Sequence, residues 1–264
     1  MRSLKLDLDQ YDSDKIVGSY LERYDQILEP WIEKKIALLE LGVRKGGSLL
    51  LWRDYFPKGT IVGIDKKLPK DFMPTERIHM YEGSQADSKF LSRVVNDVST
   101  DGFDIIIDDA SHMGELSKIS FWHLFDNHLK PNGLYVIEDW GTGYWDDWHD
   151  GKSLNLDSNL KSFIRLNQFW LKVAGKLRLK IPMRCHSYGM VGFVKQLIDE
   201  QGAPDASRKK LTDEPKRGSK FENMIIFPGL VFIKKAGEQT NIYEKTKADN
   251  HFIVDMVMFH FLQQ

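Results

Sequence analysis

The chain is poor in cysteine: Cys185 stands alone among 264 residues, so no internal disulfide framework can form. The Cys185-His186 pair also lacks the further ligands that a zinc site needs, and a reducing compartment is the default expectation. No run of 18 or more apolar residues occurs, and the opening stretch MRSLKLDLDQYDSDK has no apolar h-region. These absences predict no export signal, no membrane span and a cytoplasmic location. Net charge is nearly missing as well. With 37 basic against 38 acidic residues the balance is -1, which offers no global attraction for nucleic acid or an anionic membrane. Internal repeats, low-complexity tracts and a GxGxxG fingerprint are absent too.

What is present is ample core material, 42% hydrophobic with 12% aromatic, enough for one large domain or two small ones. Short, nearly all-apolar runs at 35–41, 60–64, 77–81, 103–107 and 134–137 read as strands. Helix-like stretches at 48–55, 88–98 and 113–129 separate them, an amphipathic helix at 20–31 precedes them, and Pro131-Asn132-Gly133 marks a turn. Such alternation predicts an α/β, Rossmann-like, doubly wound and mostly parallel seven-stranded sheet, whose ligands bind at the carboxyl ends of the strands. Two further runs around Pro228-Gly229 predict a C-terminal antiparallel hairpin. The expected organisation is an N-terminal helical cap (1–33), a cofactor-binding core (34–140), an inserted lid (141–189), the C-terminal part of the sheet (190–236) and a terminal helical tail (237–264).

Acidic residues gather at the predicted strand ends. FDIIIDDASH ends a strand in Asp108 and Asp109 with His112 three positions on, and GLYVIEDW ends the next in Glu138 and Asp139. Four carboxylates at one sheet edge repel one another, which calls for a divalent cation or a cationic ligand, although pairing with Lys or Arg, or helix capping by Asp108, answers the same need. In the first turn, ELGVRKGGS, Gly42, Gly46 and Gly47 allow close backbone approach to a ligand at a helix start, with Glu40 just before them. Asp65 ends the next strand 23 residues after Gly42, where a nucleoside fold places its ribose-hydroxyl acceptor. An acid ahead of the glycines repels a pyrophosphate. A nucleoside with a positive centre, S-adenosylmethionine, therefore fits better than NAD.

These pieces carry a resemblance. DSDK with GSY, LLELGVRKGGSLLLWRDYFPKGTIVGID, GSQAD, IIIDDASH and LKPNGLYVIEDWGTGYW, spanning about 12–145, resemble in order the class I S-adenosylmethionine-dependent methyltransferases. Specifically they are similar to the metal-dependent macrolide sugar O-methyltransferases of the mycinamicin and macrocin type and the related cephalosporin hydroxylase group. The resemblance implies that Asp109, Glu138 and Asp139 hold Mg2+ and that His112 is the base. Catalytic candidates are thus His112 and Asp109. Cofactor contacts are assigned to Glu40, Gly42, Gly46, Ser48, Asp65, Ser84, Gln85 and Asp108, and substrate contacts to Trp140, Tyr144 and Trp145, with Trp148 a further aromatic candidate. The expected acceptor is a small molecule or glycan, with a homo-oligomer compatible and nucleic acid and membrane excluded. Two other readings stay open: an NAD(P)-dependent Rossmann oxidoreductase, and a non-catalytic protein of a carbohydrate pathway.

Overall fold

The computed structural model describes residues 1–17, 19–73, 75–156 and 185–237. The expected terminal helix, and the part of the expected lid from 157 to 184, lie outside them. Seven strands form one sheet in the order β3-β2-β1-β4-β5-β7-β6. They are β1 (Ala37–Leu41), β2 (Thr60–Asp65), β3 (Ile78–Glu82), β4 (Phe103–Asp108), β5 (Leu129–Glu138), β6 (Phe221–Ile226) and β7 (Leu230–Lys235). β1 to β5 pair in parallel, and β7 runs antiparallel to both β5 and β6, as the hairpin signal predicts.

The period of two along the strands sorts the core into two layers. Leu39, Leu41, Val62, Ile64, Ile106, Tyr135 and Ile137 face one way, onto α4 (Ser88–Val98), α5 (Gly114–Asn127) and α7 (Gly189–Gln201). Leu38, Ile61, Ile105, Ile107, Leu134 and Val136 face the other, onto α2 (Tyr20–Leu28) and α3 (Gly47–Tyr55). A short α1 (Asp14–Val17) precedes α2, and α6 (His149–Leu156) follows a 3₁₀ turn at Trp140–Tyr144. α4 shows why such segments are helical: Leu91, Val94 and Val95 recur on one buried face, while the Asp87 side chain accepts from the N–H groups of Lys89 and Phe90 at the open end.

Two local expectations change. β5 starts at Leu129 and not at Leu134, because Leu129 already pairs with Phe103; Pro131-Asn132-Gly133 is a bulge inside the strand, with Asn132 at φ +62°. α5 ends at Asn127 and not at 129, because Leu129 already belongs to β5; it starts at Gly114, which leaves His112 in the preceding loop. β1 and β4 are neighbours although their following strands run to opposite sides, which makes the gap above them the point where strand order reverses and a crevice opens.

Candidate active site

That crevice is a cavity of about 810 Å³, within the range of roughly 300–1,000 Å³ usual for small-molecule sites. Its walls come from segment Asp12 to Lys15, the turn after β1, the ends of β2 and β3, the loop 109–113, Asp139 and Trp148. Gly42, at φ +95°, is required by backbone crowding, since a Cβ there would lie 2.1 Å from the carbonyl oxygen of Asp109. Asp65 Oδ2 accepts from the N–H groups of Val43 (2.8 Å) and Arg44 (3.2 Å), and Oδ1 accepts from Lys67 N–H at 3.1 Å. The acid at the end of β2 therefore holds the turn as well as lining the cavity. A carboxylate with about four acceptor positions still has one to offer a ligand.

Of the cofactor candidates, Gly42, Ser48, Asp65, Ser84 and Gln85 line the cavity. Gln85 Nε2 donates to Asp108 Oδ1 and to Ser120 Oγ, while its Oε1 accepts from Ser111 N–H, so it ties the loop after β3 to the loop after β4. Glu40, Gly46 and Asp108 are not among the lining residues. Glu40 is fully buried beneath the turn, accepting from Ser48 Oγ at 2.7 Å and Trp52 Nε1 at 3.2 Å. Gly46, at φ +86°, precedes α3 as its cap, and a Cβ there would strike the Phe72 ring. Asp108 is buried on the α5 side, accepting from Gln85 and Ser120, and burial pushes its carboxyl above the usual aspartate range.

Asp109, His112 and Asp139 meet at the cavity wall, with one ligand atom from each within 4.8 Å of the others. His112 Nε2 is 3.8 Å from Asp109 Oδ1 and 3.9 Å from Asp139 Oδ2. Both gaps exceed a hydrogen bond and leave room for one small guest touching all three residues. His112 (φ +51°) and Asp139 (φ +53°) both adopt left-handed backbone, a conformation costing about 1–3 kcal/mol that clusters at functional sites. The His112 Nδ1 is buried with no hydrogen-bond partner, and the ring meets Trp148 edge-on at 5.3 Å. The donor set suits a divalent cation: two carboxylates supply hard oxygens, and the adjoining cavity leaves space for water or substrate oxygens to complete the shell.

Glu138 stands apart from this group. The residue is buried, and its carboxylate takes a hydrogen bond from Tyr24 OH at 2.5 Å and lies 3.1 Å from Lys15 Nζ. Burial pushes its carboxyl well above the usual glutamate range. Lys15 is the residue that sequence reasoning passed over although it sits inside the DSDK stretch; it reaches Asp109, Glu40 and Glu138 together. Burial disfavours its charge, yet the three carboxylates outweigh that and hold the ammonium well above the ordinary lysine range. Of the aromatic candidates, Trp140 donates through Nε1 to the carbonyl of Phe227, Tyr144 stacks edge-on against His186, and Trp145 is 54% exposed. None of these three lines the cavity, whereas Trp148 does.

No protein-family model matches the chain. It is 38% identical over 133 aligned residues to mycinamicin VI 2''-O-methyltransferase of Micromonospora griseorubida, covering 48% of this chain and 32% of that protein. It is 42% identical over 116 residues to a tetracenomycin-C 3'-O-methyltransferase acting on a 2-methoxy-rhamnosyl compound in Streptomyces olivaceus, covering 41% of this chain and 29% of the relative. Among solved structures, MycE, a methyltransferase of the mycinamycin biosynthetic pathway in complex with Mg and SAH, superimposes with a TM-score of 0.65 at 26% identity, covering 89% of this chain and 56% of its own. The chain thus spans about a third of the length of these curated relatives and about half of MycE. The relatives matched are thus O-methyltransferases, and the sheet has the Rossmann-like, mostly parallel arrangement that it shares with the methyltransferase MycE.

Proposed function

We propose that this chain transfers the methyl group of S-adenosylmethionine to a hydroxyl of a sugar or glycosylated small molecule, assisted by a divalent cation such as Mg2+. The observation that carries the reading is the convergence on one cavity of the Asp65-anchored glycine turn and the Asp109, His112 and Asp139 group. The turn and Asp65 would take the nucleoside, while Ser84 and Gln85 bound its other side. A sugar hydroxyl has a pKa far above 7 and needs activation before it attacks the sulfonium methyl. A divalent cation held by Asp109 and Asp139, with His112 beside it, would supply positive charge that lowers that pKa. His112 Nε2 faces the same gap and takes the proton as the oxygen–carbon bond forms and the carbon–sulfur bond breaks, leaving a methyl ether and S-adenosylhomocysteine. Holding oxygen and methyl about 3 Å apart and in line supplies much of the rate, and no covalent enzyme intermediate is required.

Segment 1–33 acts in this reading as a cap, and Trp148 offers an aromatic edge to the acceptor. The exposed free Cys185 suits a reducing cytoplasm, and no helix among the described residues is long and apolar enough to cross a membrane. The test is incubation with S-adenosylmethionine, Mg2+ and a panel of glycosylated polyketides, scored by mass for a methylated product and S-adenosylhomocysteine. Product should form, vanish with chelator and return with excess Mg2+. Turnover undiminished in chelator would remove the metal, and the absence of S-adenosylmethionine binding in calorimetry would sink the reading.

A further inference from the structure

The acidic sheet edge has a cation built into the chain itself. Lys15 Nζ lies 2.6 Å from Asp109 Oδ2, 3.1 Å from Glu138 Oε1 and 3.2 Å from Glu40 Oε1, and its side chain is 1% exposed. An ammonium has three protons, and three carboxylates surround this one. Two tyrosines of α2 add to the arrangement: Tyr24 OH donates to Glu138 Oε1 and Tyr20 OH donates to Asp139 Oδ1, each at 2.5 Å. One oxygen of Asp109 is thereby engaged by Lys15 of α1, and one of Asp139 by Tyr20 of α2. Their partners, Asp109 Oδ1 and Asp139 Oδ2, are the oxygens that face His112.

We infer that Lys15 is a positioning residue that sorts the acidic cluster in two: Glu40 and Glu138 are held inside the fold against its ammonium, and Asp109 and Asp139 each present one oxygen beside His112 to a divalent cation. The role of that cation in methyl transfer rests on the proposed function; the sorting itself is a matter of charge and geometry. Remove the ammonium and the cluster of Glu40, Asp109, Glu138 and Asp139 gains one unit of negative charge. A divalent cation is then held more strongly and drawn toward the place Lys15 vacates, away from His112. Tighter metal binding combined with weaker turnover is an outcome that simple loss of packing does not produce.

The experiment measures Mn2+ binding to the protein without cofactor or acceptor, by the electron paramagnetic resonance signal of free Mn2+, so it succeeds or fails independently of methyl-transfer activity. Lys15→Met should bind Mn2+ about tenfold more tightly than wild type, with kcat reduced about tenfold or more. The double variant Lys15→Met/Glu138→Gln, which removes one charge of each sign, should fold and bind Mn2+ within about threefold of wild type. If Lys15→Met does not fold, the double variant alone decides. Unchanged Mn2+ affinity in Lys15→Met would show that Lys15 merely fills space. Loss of Mn2+ binding in the double variant would make Glu138 a ligand and overturn the sorting.

Discussion

His112 adopts a left-handed backbone that few histidines take, and this conformation aims Nε2 at the gap between Asp109 and Asp139. With Nδ1 buried and unpartnered, the ring is held by the loop and by the edge of Trp148. If His112 is the base, His112→Ala should lower kcat by about 10²–10⁴-fold while S-adenosylmethionine affinity stays unchanged. His112→Asn tolerates the left-handed turn yet cannot take the proton, so it should lose as much, which separates chemistry from backbone strain. Initial rates and calorimetry check both, and turnover within threefold of wild type in either variant would make the residue structural. The meeting of Asp109, His112 and Asp139 was legible because each closes or follows an apolar strand. Lys15 was not: the excess of acid at the strand ends called for a cation, and nothing in a linear sequence says that the cation comes from a segment 94 residues before Asp109.

Among the elements, α6 is tied to the start of two other helices through Asp150. Asp150 is buried, and its Oδ2 accepts from Gly114 N–H at 2.9 Å and from Met190 N–H at 2.6 Å, so a single carboxylate closes the open ends of both α5 and α7. Gly114 and Gly189 are needed there because a Cβ on Gly114 would strike the Gly189 backbone and one on Gly189 would strike the Asp150 carboxylate. Each such bond to a charged group contributes about 1.5–3 kcal/mol, and removal leaves two buried donors without a partner. Asp150→Ala should therefore destabilise by roughly 2–4 kcal/mol and Asp150→Asn by less, read from urea midpoints; a loss under about 0.5 kcal/mol would show that water takes over both donors. The strands, read as short and nearly all-apolar runs, were legible to within a few residues. The bulge at Pro131-Asn132-Gly133 was not, because a proline-glycine turn has the same local chemistry whether or not pairing resumes on its near side. Asp150 was equally invisible, since its two partners are remote in sequence.

At the scale of the molecule, four phenols join the first 31 residues to the rest of the fold. Tyr11 donates to Asp54 of α3, Tyr20 to Asp139, Tyr24 to Glu138, and Tyr55 of α3 to Asp25 of α2. Burial first, and then the charge of and hydrogen bond to the neighbouring carboxylate, raises every one of these hydroxyls above the ordinary tyrosine range, Tyr11 to about 12. A raised folded-state pKa means that the contribution is complete below the unfolded value of 10.0 and is lost as pH climbs through the folded one, because a phenolate cannot donate and repels the carboxylate beside it. The N-terminal segment should therefore come loose on the alkaline side, with the Tyr11–Asp54 contact failing first, between pH 10 and about 12. Thermal midpoints followed from pH 8 upward should hold steady to about 10 and then decline, and Tyr11→Phe, which has no proton to lose, should start lower and decline less steeply over the same interval. A wild-type midpoint that stays level to pH 12, or a Tyr11→Phe profile parallel to it, would mean that these phenols do not couple the N-terminal segment to the core.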